Sequence, residues 1–257
     1  MKKRLSKLMP FVYLAIFLYS GYLLVQYLYS YVESASSLKE TQQMYETALE
    51  NTAQVAVTGD AKEDPLADES IRPQFEELNK VNQDIVGWIS VEGTNLHNPI
   101  LQAEDNDFYL NRNFTRENSR AGSVFMDYRN DITDMSRNTV LYGHAMRNDT
   151  MFGSLKKFGE QDYADEHPVI YVDTLYEGYD IEVFAAYETT IDFYYIETDF
   201  QTDEQFSEFL EEVESRSLID MPVEVGVDDR IVTLSTCNNS VNSKDKRYVV
   251  QGKLVKR

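Results

Sequence analysis

From Leu8 to Val32 the chain is uncharged and mostly apolar, and the pattern changes character at Glu33. As a helix, at about 1.5 Å per residue, this stretch would span roughly 37 Å, more than a hydrocarbon core of about 30 Å. Lys2, Lys3, Arg4 and Lys7 precede it, and Tyr27, Tyr29 and Tyr31 stand at its far end. Basic flanks stay on the cytoplasmic side and tyrosines favour the interface. The pattern therefore predicts a cytoplasmic tail over residues 1–7, a single-pass anchor over 8–32, and the rest of the chain outside the cell membrane. A cleaved signal peptide would have a shorter apolar core and small residues at the cut, whereas Glu33 stands just before Ala35.

Residues 33–70 are polar and low in aromatics, and they read as an extracellular stalk and linker. Leu38 to Gln54 can form a stalk helix, and Val55 to Glu69, with Thr58-Gly59-Asp60 and Asp64-Pro65, reads as linker. The segment is expected to carry no chemistry and to be dispensable for activity in solution. The folded module is expected over 71–257. It opens with Phe75, Leu78 and Val81 at helical spacing, ended by Asn82-Gln83-Asp84. Eight short strand-like runs follow: 85–91, 96–102, 123–127, 139–142, 169–173, 181–189, 231–236 and 248–254. Helical patterns interrupt them at Met151–Phe158 and at Glu204–Arg216, where Phe206, Phe209, Leu210 and Val213 share a face. Many short strands with few helices predict a mainly β fold, a closed or nearly closed barrel with peripheral helices.

Composition adds two constraints. Hydrophobic residues make up 42% and aromatics 12% of the chain, enough for a packed core. Formal net charge is −20; the four leading cations belong to the tail, so the remainder is about −24. That charge argues against either nucleic acid or anionic lipid as a partner, because the phosphate term would be repulsive. A field of this sign also disfavours a thiolate, so any activated cysteine needs nearby cations.

Cys237 is the only cysteine, which rules out an intrachain disulfide. It ends the run Ile231-Val232-Thr233-Leu234-Ser235-Thr236, and Arg247 lies ten residues beyond. His144 ends another run, Thr139-Val140-Leu141-Tyr142-Gly143. Taken singly these residues have ordinary readings: a small buried hydrophobe, a turn histidine, a solvated edge charge. Together they supply a nucleophile, a proton carrier and oxyanion-stabilising donors, the parts of acyl transfer. His97 and His167 sit near prolines and read as surface loop positions. One cysteine and three scattered histidines give no metal-site spacing, and no cofactor motif appears.

The run Thr233-Leu234-Ser235-Thr236-Cys237 with Arg247-Tyr248-Val249-Val250, and Asn138-Thr139-Val140-Leu141-Tyr142-Gly143-His144, resemble the motifs of the sortase family. Asn82 to Ile89, Pro99 to Gln102 and Asp105 to Leu110 are similar to class B in particular, as is the helical segment before the cysteine strand. The resemblance covers about Ile71 to Leu254. It implies an eight-stranded barrel and a membrane-anchored cysteine transpeptidase of a Gram-positive surface, acting on secreted proteins that bear a sorting signal. By motif match Cys237 is the nucleophile, His144 the acid/base, and Arg247 the substrate-binding and oxyanion-stabilising group. Ser235 and Thr236 shape the pocket, and Tyr195-Ile196 resembles a substrate-contacting wall. The acceptor is an amine of a peptidoglycan precursor or, in a pilin polymerase, a lysine. Asn238 to Ser243 follows no family rule and leaves acceptor choice open. Two other classes compete: an L,D-transpeptidase, which would carry His-Gly-Cys at the nucleophile, and a non-catalytic stalked binding module, which would bury an inert thiol.

Overall fold

The computed structural model describes residues 2–58, 71–133, 135–190, 192–237 and 246–257, with backbone only for 2–8, 55–58 and 237. Eight strands form a closed barrel: β1 (Ile85–Ser90), β2 (His97–Leu101), β3 (Val124–Met126), β4 (Asn138–His144), β5 (Val169–Thr174), β6 (Gly178–Thr189), β7 (Ile231–Cys237) and β8 (Arg247–Lys256). Around the barrel the order is β1-β2-β3-β4-β7-β8-β6-β5. The β2–β3 and β4–β7 pairs are parallel and the other six are antiparallel. Closure removes every sheet edge, so a chain of short strands needs no covering elements to satisfy its backbone.

The lumen is filled from all eight strands. Ile89, Ile100, Val124, Leu141, Ile170, Val183, Leu234 and Val250 belong to one buried cluster. The period of two then sends Ile231, Thr233 and Ser235 of β7 to the outer face. There α4 (Asp203–Arg216) lays Phe206, Phe209, Leu210 and Val213 against Ile231 and Val249. Thr202 caps this helix, its Oγ1 accepting from the Gln205 amide at 3.2 Å.

The expected eight strands are present, and the helices differ more. The 151–158 pattern yields only a 3₁₀ turn at Leu155–Gly159, because Met151 takes φ +52° and stops the helix before it starts. A short α3 (Gln161–Glu166) follows. In α2 (Pro73–Val81) Phe75 and Leu78 are buried but Val81 is half exposed. Asn82 takes the inward position instead, donating to Tyr109 Oη and the Phe114 carbonyl.

The largest difference concerns the stalk. Helix α1 is continuous from Lys2 to Thr58, and its second half packs on the barrel. Tyr45 is buried, stacks on Trp88 with ring centroids 4.1 Å apart, and donates to Asp173 at 3.2 Å. Gln42 Nε2 donates to the His97 carbonyl at 2.7 Å, and Ser34 and Ser119 hydroxyls lie 3.0 Å apart. The folded body thus begins within the segment read as spacer. A polar helix carrying one buried tyrosine among solvated neighbours looks like a stalk until its partner surface is known. The remainder of the expected linker, 59–70, lies outside the described residues.

His97 is likewise no loop residue. It opens β2, is half-buried, and its Nδ1 accepts from Trp88 Nε1–H at 3.1 Å. His167 follows α3 and lies against the Tyr163 ring.

Candidate active site

β7 lies between β4 and β8, parallel to the first and antiparallel to the second. Its register opposes Cys237 to His144 on one side and to Arg247 on the other. Residues directly opposed across strands share a face of the sheet, so the three positions form one row on the outer face. The sequence separates His144 from Cys237 by 93 positions; strand pairing makes them neighbours. Two residues down the strands the next row is Tyr142, Ser235 and Val249.

His144 is held from the other side by a carbonyl. Its Nε2 lies 2.8 Å from Leu110 O, and since a carbonyl only accepts, Nε2 carries the hydrogen. In the neutral ring Nδ1 is then the basic nitrogen. Leu110 belongs to a 3₁₀ turn, Phe108–Asn111, fixed by the Asp105 carboxylate accepting from the amides of Asp107 and Phe108. Beneath the histidine, a side chain on Gly143 would come within 2.9 Å of the Phe152 ring. Glycine at 143 is what lets that ring pack under the strand end.

A cleft of about 280 Å³ opens over this row, lined by Asn106, Leu110, Phe125, Tyr142, Gly143, His144, Ser235, Thr236 and Arg247. Of the residues expected at the site, His144, Arg247, Ser235 and Thr236 line it together. Tyr195 is buried and reaches it through its hydroxyl, 2.8 Å from Ser235 Oγ. Ile196 packs against the α4 cluster and is absent from the lining. Asn238 to Ser243, the segment that leaves acceptor choice open, lies outside the described residues.

No sequence pattern points to the group that frames the cleft. Asp127 is fully buried and paired with Arg129, whose Nε and Nη2 each donate to it at 2.8 Å. It also accepts from Tyr142 Oη at 2.8 Å and Asn106 Nδ2 at 3.0 Å, both cleft residues. Burial pushes the Asp127 carboxyl up, but Arg129 and Tyr142 outweigh it and hold it below its ordinary value. Burial and then Asp127 push the Tyr142 hydroxyl well above its usual range, so it stays a neutral donor. Arg129 Nη2 continues to the Ile196 carbonyl at 2.8 Å, and Nη1 to Tyr194 Oη at 2.9 Å. One ion pair thereby fixes both the floor of the cleft and the 194–196 segment. An Asp and an Arg two residues apart after a strand give no hint of this in sequence, because their partners lie up to 67 positions away.

Below the row, a buried chain of side chains is satisfied end to end. Tyr187 donates to Gln251, Gln251 to Thr233, and Thr233 to Asn138, whose amide reaches the carbonyls of Tyr195 and Glu197. Fully paired polar networks of this kind fix side-chain positions in a low-dielectric interior. Among the described residues no group of His, Cys, Asp and Glu could hold a metal ion.

Known proteins match this architecture along the whole module. A family model described as the Sortase domain matches residues 89–255. Sortase B of Staphylococcus aureus is 46% identical over 188 residues, which is 73% of this chain and 77% of that protein. Sortase B of Listeria monocytogenes is 37% identical over 254 residues, covering 99% of this chain and 98% of the relative. Among solved structures, a Staphylococcus aureus sortase B–substrate complex aligns with a TM-score of 0.77 at 40% identity, over 87% of this chain and 97% of that one. The barrel, the matched domain and the two relatives agree: the chain belongs to the sortase family of cysteine transpeptidases, and within it to class B.

Proposed function

We propose that this chain is a membrane-anchored transpeptidase that cuts a C-terminal sorting signal from secreted proteins and joins the new carboxyl end to an amine of the cell wall. The observation that carries the reading is the single row His144, Cys237, Arg247 across three hydrogen-bonded strands. In the first half-reaction the Cys237 sulfur attacks the scissile carbonyl and its proton passes to His144 Nδ1. Arg247 supports the charge that develops on oxygen, a task suited to a permanently charged, multi-donor group. The C–N bond then breaks, and the leaving amine takes the proton from His144, leaving a thioester. In the second half, an incoming amine attacks the thioester, His144 takes its proton, and sulfur departs as the leaving group.

The Leu110 carbonyl supports this cycle by holding Nε2, so the same ring nitrogen faces the reaction in both halves. Ser235, tied to Tyr195, and Thr236 form the wall beside the nucleophile. The apolar N-terminal part of α1 is long enough to cross a bilayer, and its side chains from Phe11 to Val32 are largely exposed. That favours an anchor with the basic tail inside and the barrel outside.

The test is cleavage of a sorting-peptide library in the presence of candidate amines. Cys237→Ala should abolish both cleavage and amine transfer. Arg247→Ala should raise the barrier by about 3–4 kcal/mol, the scale of one oxyanion donor. Retained transfer by the Cys237 variant, or wild-type turnover without Arg247, would discard the assignment. Products carrying a wall-type amine distinguish wall anchoring from joining of subunits through lysine.

A further inference from the structure

Two cavities lie along α1, away from Ser235, Thr236 and Arg247 of the catalytic cleft. One, about 720 Å³, runs beside Leu38, Gln42 and Glu46 against the β1–β2 turn. The other, about 630 Å³, lies nearer the membrane span, between Tyr27, Ser30 and Tyr31 on one side and Arg120 with residues 144–148 on the other. They share Tyr31, Ser34, Ala121, Met146 and Asn148, so they form one groove. His144 stands at its edge as well as in the catalytic cleft.

The charge at the span end of this groove is opposite to that of the body. Arg72, Arg116, Arg129, Arg137, Lys157 and Arg216 each meet a carboxylate. Arg120 and Arg147 meet none among the described residues, and both are exposed. Arg120 instead places its guanidinium over the Tyr27 ring, 5.0 Å from the centroid. Two arginines lining one cavity of a strongly acidic protein, with no carboxylate partner among the described residues, form a site suited to an anion.

Helix geometry sets the depth. A hydrocarbon core of about 30 Å takes up about 20 helical residues, so a span beginning at Leu8 leaves it near Tyr27. The headgroup layer is roughly 5–8 Å thick, the rise of the next few residues up to Val32. Arg120, stacked on Tyr27, then sits among phosphates. We propose that this groove takes the headgroup of an anionic phospholipid from the outer leaflet, with Arg120 and Arg147 holding its phosphate, and that this contact seats the barrel with His144 beside the bilayer surface. The proposal rests on the anchored reading above. The negative body does not oppose it, because charges beyond about 8 Å are screened at physiological salt, and the carboxylates lining the groove, Glu46 and Glu92, are at its far end.

Native mass spectrometry of the full chain in detergent tests it, titrating phosphatidylglycerol against phosphatidylcholine with the same acyl chains. The wild type should retain phosphatidylglycerol roughly ten- to thirtyfold better, as two basic groups near an anionic headgroup would give. The double variant Arg120→Gln/Arg147→Gln should lose that preference, while Arg120→Lys/Arg147→Lys and the control Lys156→Gln should keep it. Equal retention of both lipids by the wild type, or an unchanged preference in the double Gln variant, overturns the proposal. Displacement of the lipid by excess inorganic phosphate also overturns it, since the site would then take free anion. Carbonate washing of membranes separates the two readings: release of the wild-type chain sinks the anchor and this proposal together, and a retained chain without lipid preference sinks this one alone.

Discussion

Gly122 sits far from Cys237 in sequence yet bears on its chemistry. Its φ is +58°, and a Cβ there would come 2.5 Å from Leu110 O. That oxygen is the acceptor for His144 Nε2. A side chain at 122 must therefore push the carbonyl that orients the proposed acid/base. Gly122→Ala should lower turnover by about a hundredfold, the usual result of an ångström-scale misplacement, with little change in peptide KM. Wild-type turnover in a folded Gly122→Ala protein would remove Leu110 from the positioning of His144. At this scale the chemically rare residues were legible: one cysteine, and a histidine and an arginine at strand ends. Leu110, Gly122, Asp127 and Arg129 were not, because a carbonyl, a glycine and a common ion pair acquire meaning only from what the fold sets beside them.

Among the elements, α1 holds a titrating contact with the barrel. His97 Nδ1 accepts from Trp88, and its Nε2 lies 3.6 Å from Glu46 on α1. Burial pulls the ring below its ordinary value, and Glu46 opposes that only in part. A neutral ring is thus preferred in the folded state. Its contribution is complete above the unfolded value of about 6.5 and is lost as pH falls from there through the lower folded value. A protonated Nδ1 could no longer accept from Trp88. Thermal stability should fall from about pH 6.5 downward, and His97→Asn should flatten that limb. An identical pH slope in the variant would show that the docking of α1 does not titrate through His97. Strand existence was readable from short β-rich runs between turn residues. Helix extents were less so: a left-handed Met151 stopped one, and burial of Tyr45 against Trp88 recruited another into the body.

For the whole molecule, continuity of α1 means that the apolar N-terminal stretch and the barrel are joined by a packed helix. Removing residues 1–32 leaves that packing in place. Removing 1–58 strips Tyr45 from Trp88 and Phe75, which pack around it. Deleting a buried aromatic costs about 3–5 kcal/mol. The shorter fragment should then melt roughly 6–20 °C below the longer one, at about 2–4 °C per kcal/mol for a domain of this size. Equal melting temperatures would return the segment to the role of tether. Rigid coupling also sets the distance between the cleft and the apolar stretch of α1.

The amino-acid sequence by itself determined the apolar span, the eight strand-forming runs and the three residues suited to acyl transfer. Hydrophobic period, turn chemistry and side-chain reactivity are local properties, so they survive in one dimension. Tertiary structure decided which strands became neighbours, and hence that positions 144, 237 and 247 share a row. It also decided that Asp127 is buried under the cleft and that a polar helix belongs to the folded body. Those outcomes depend on closure of the barrel and on contacts between segments tens to more than a hundred residues apart, which no local pattern encodes.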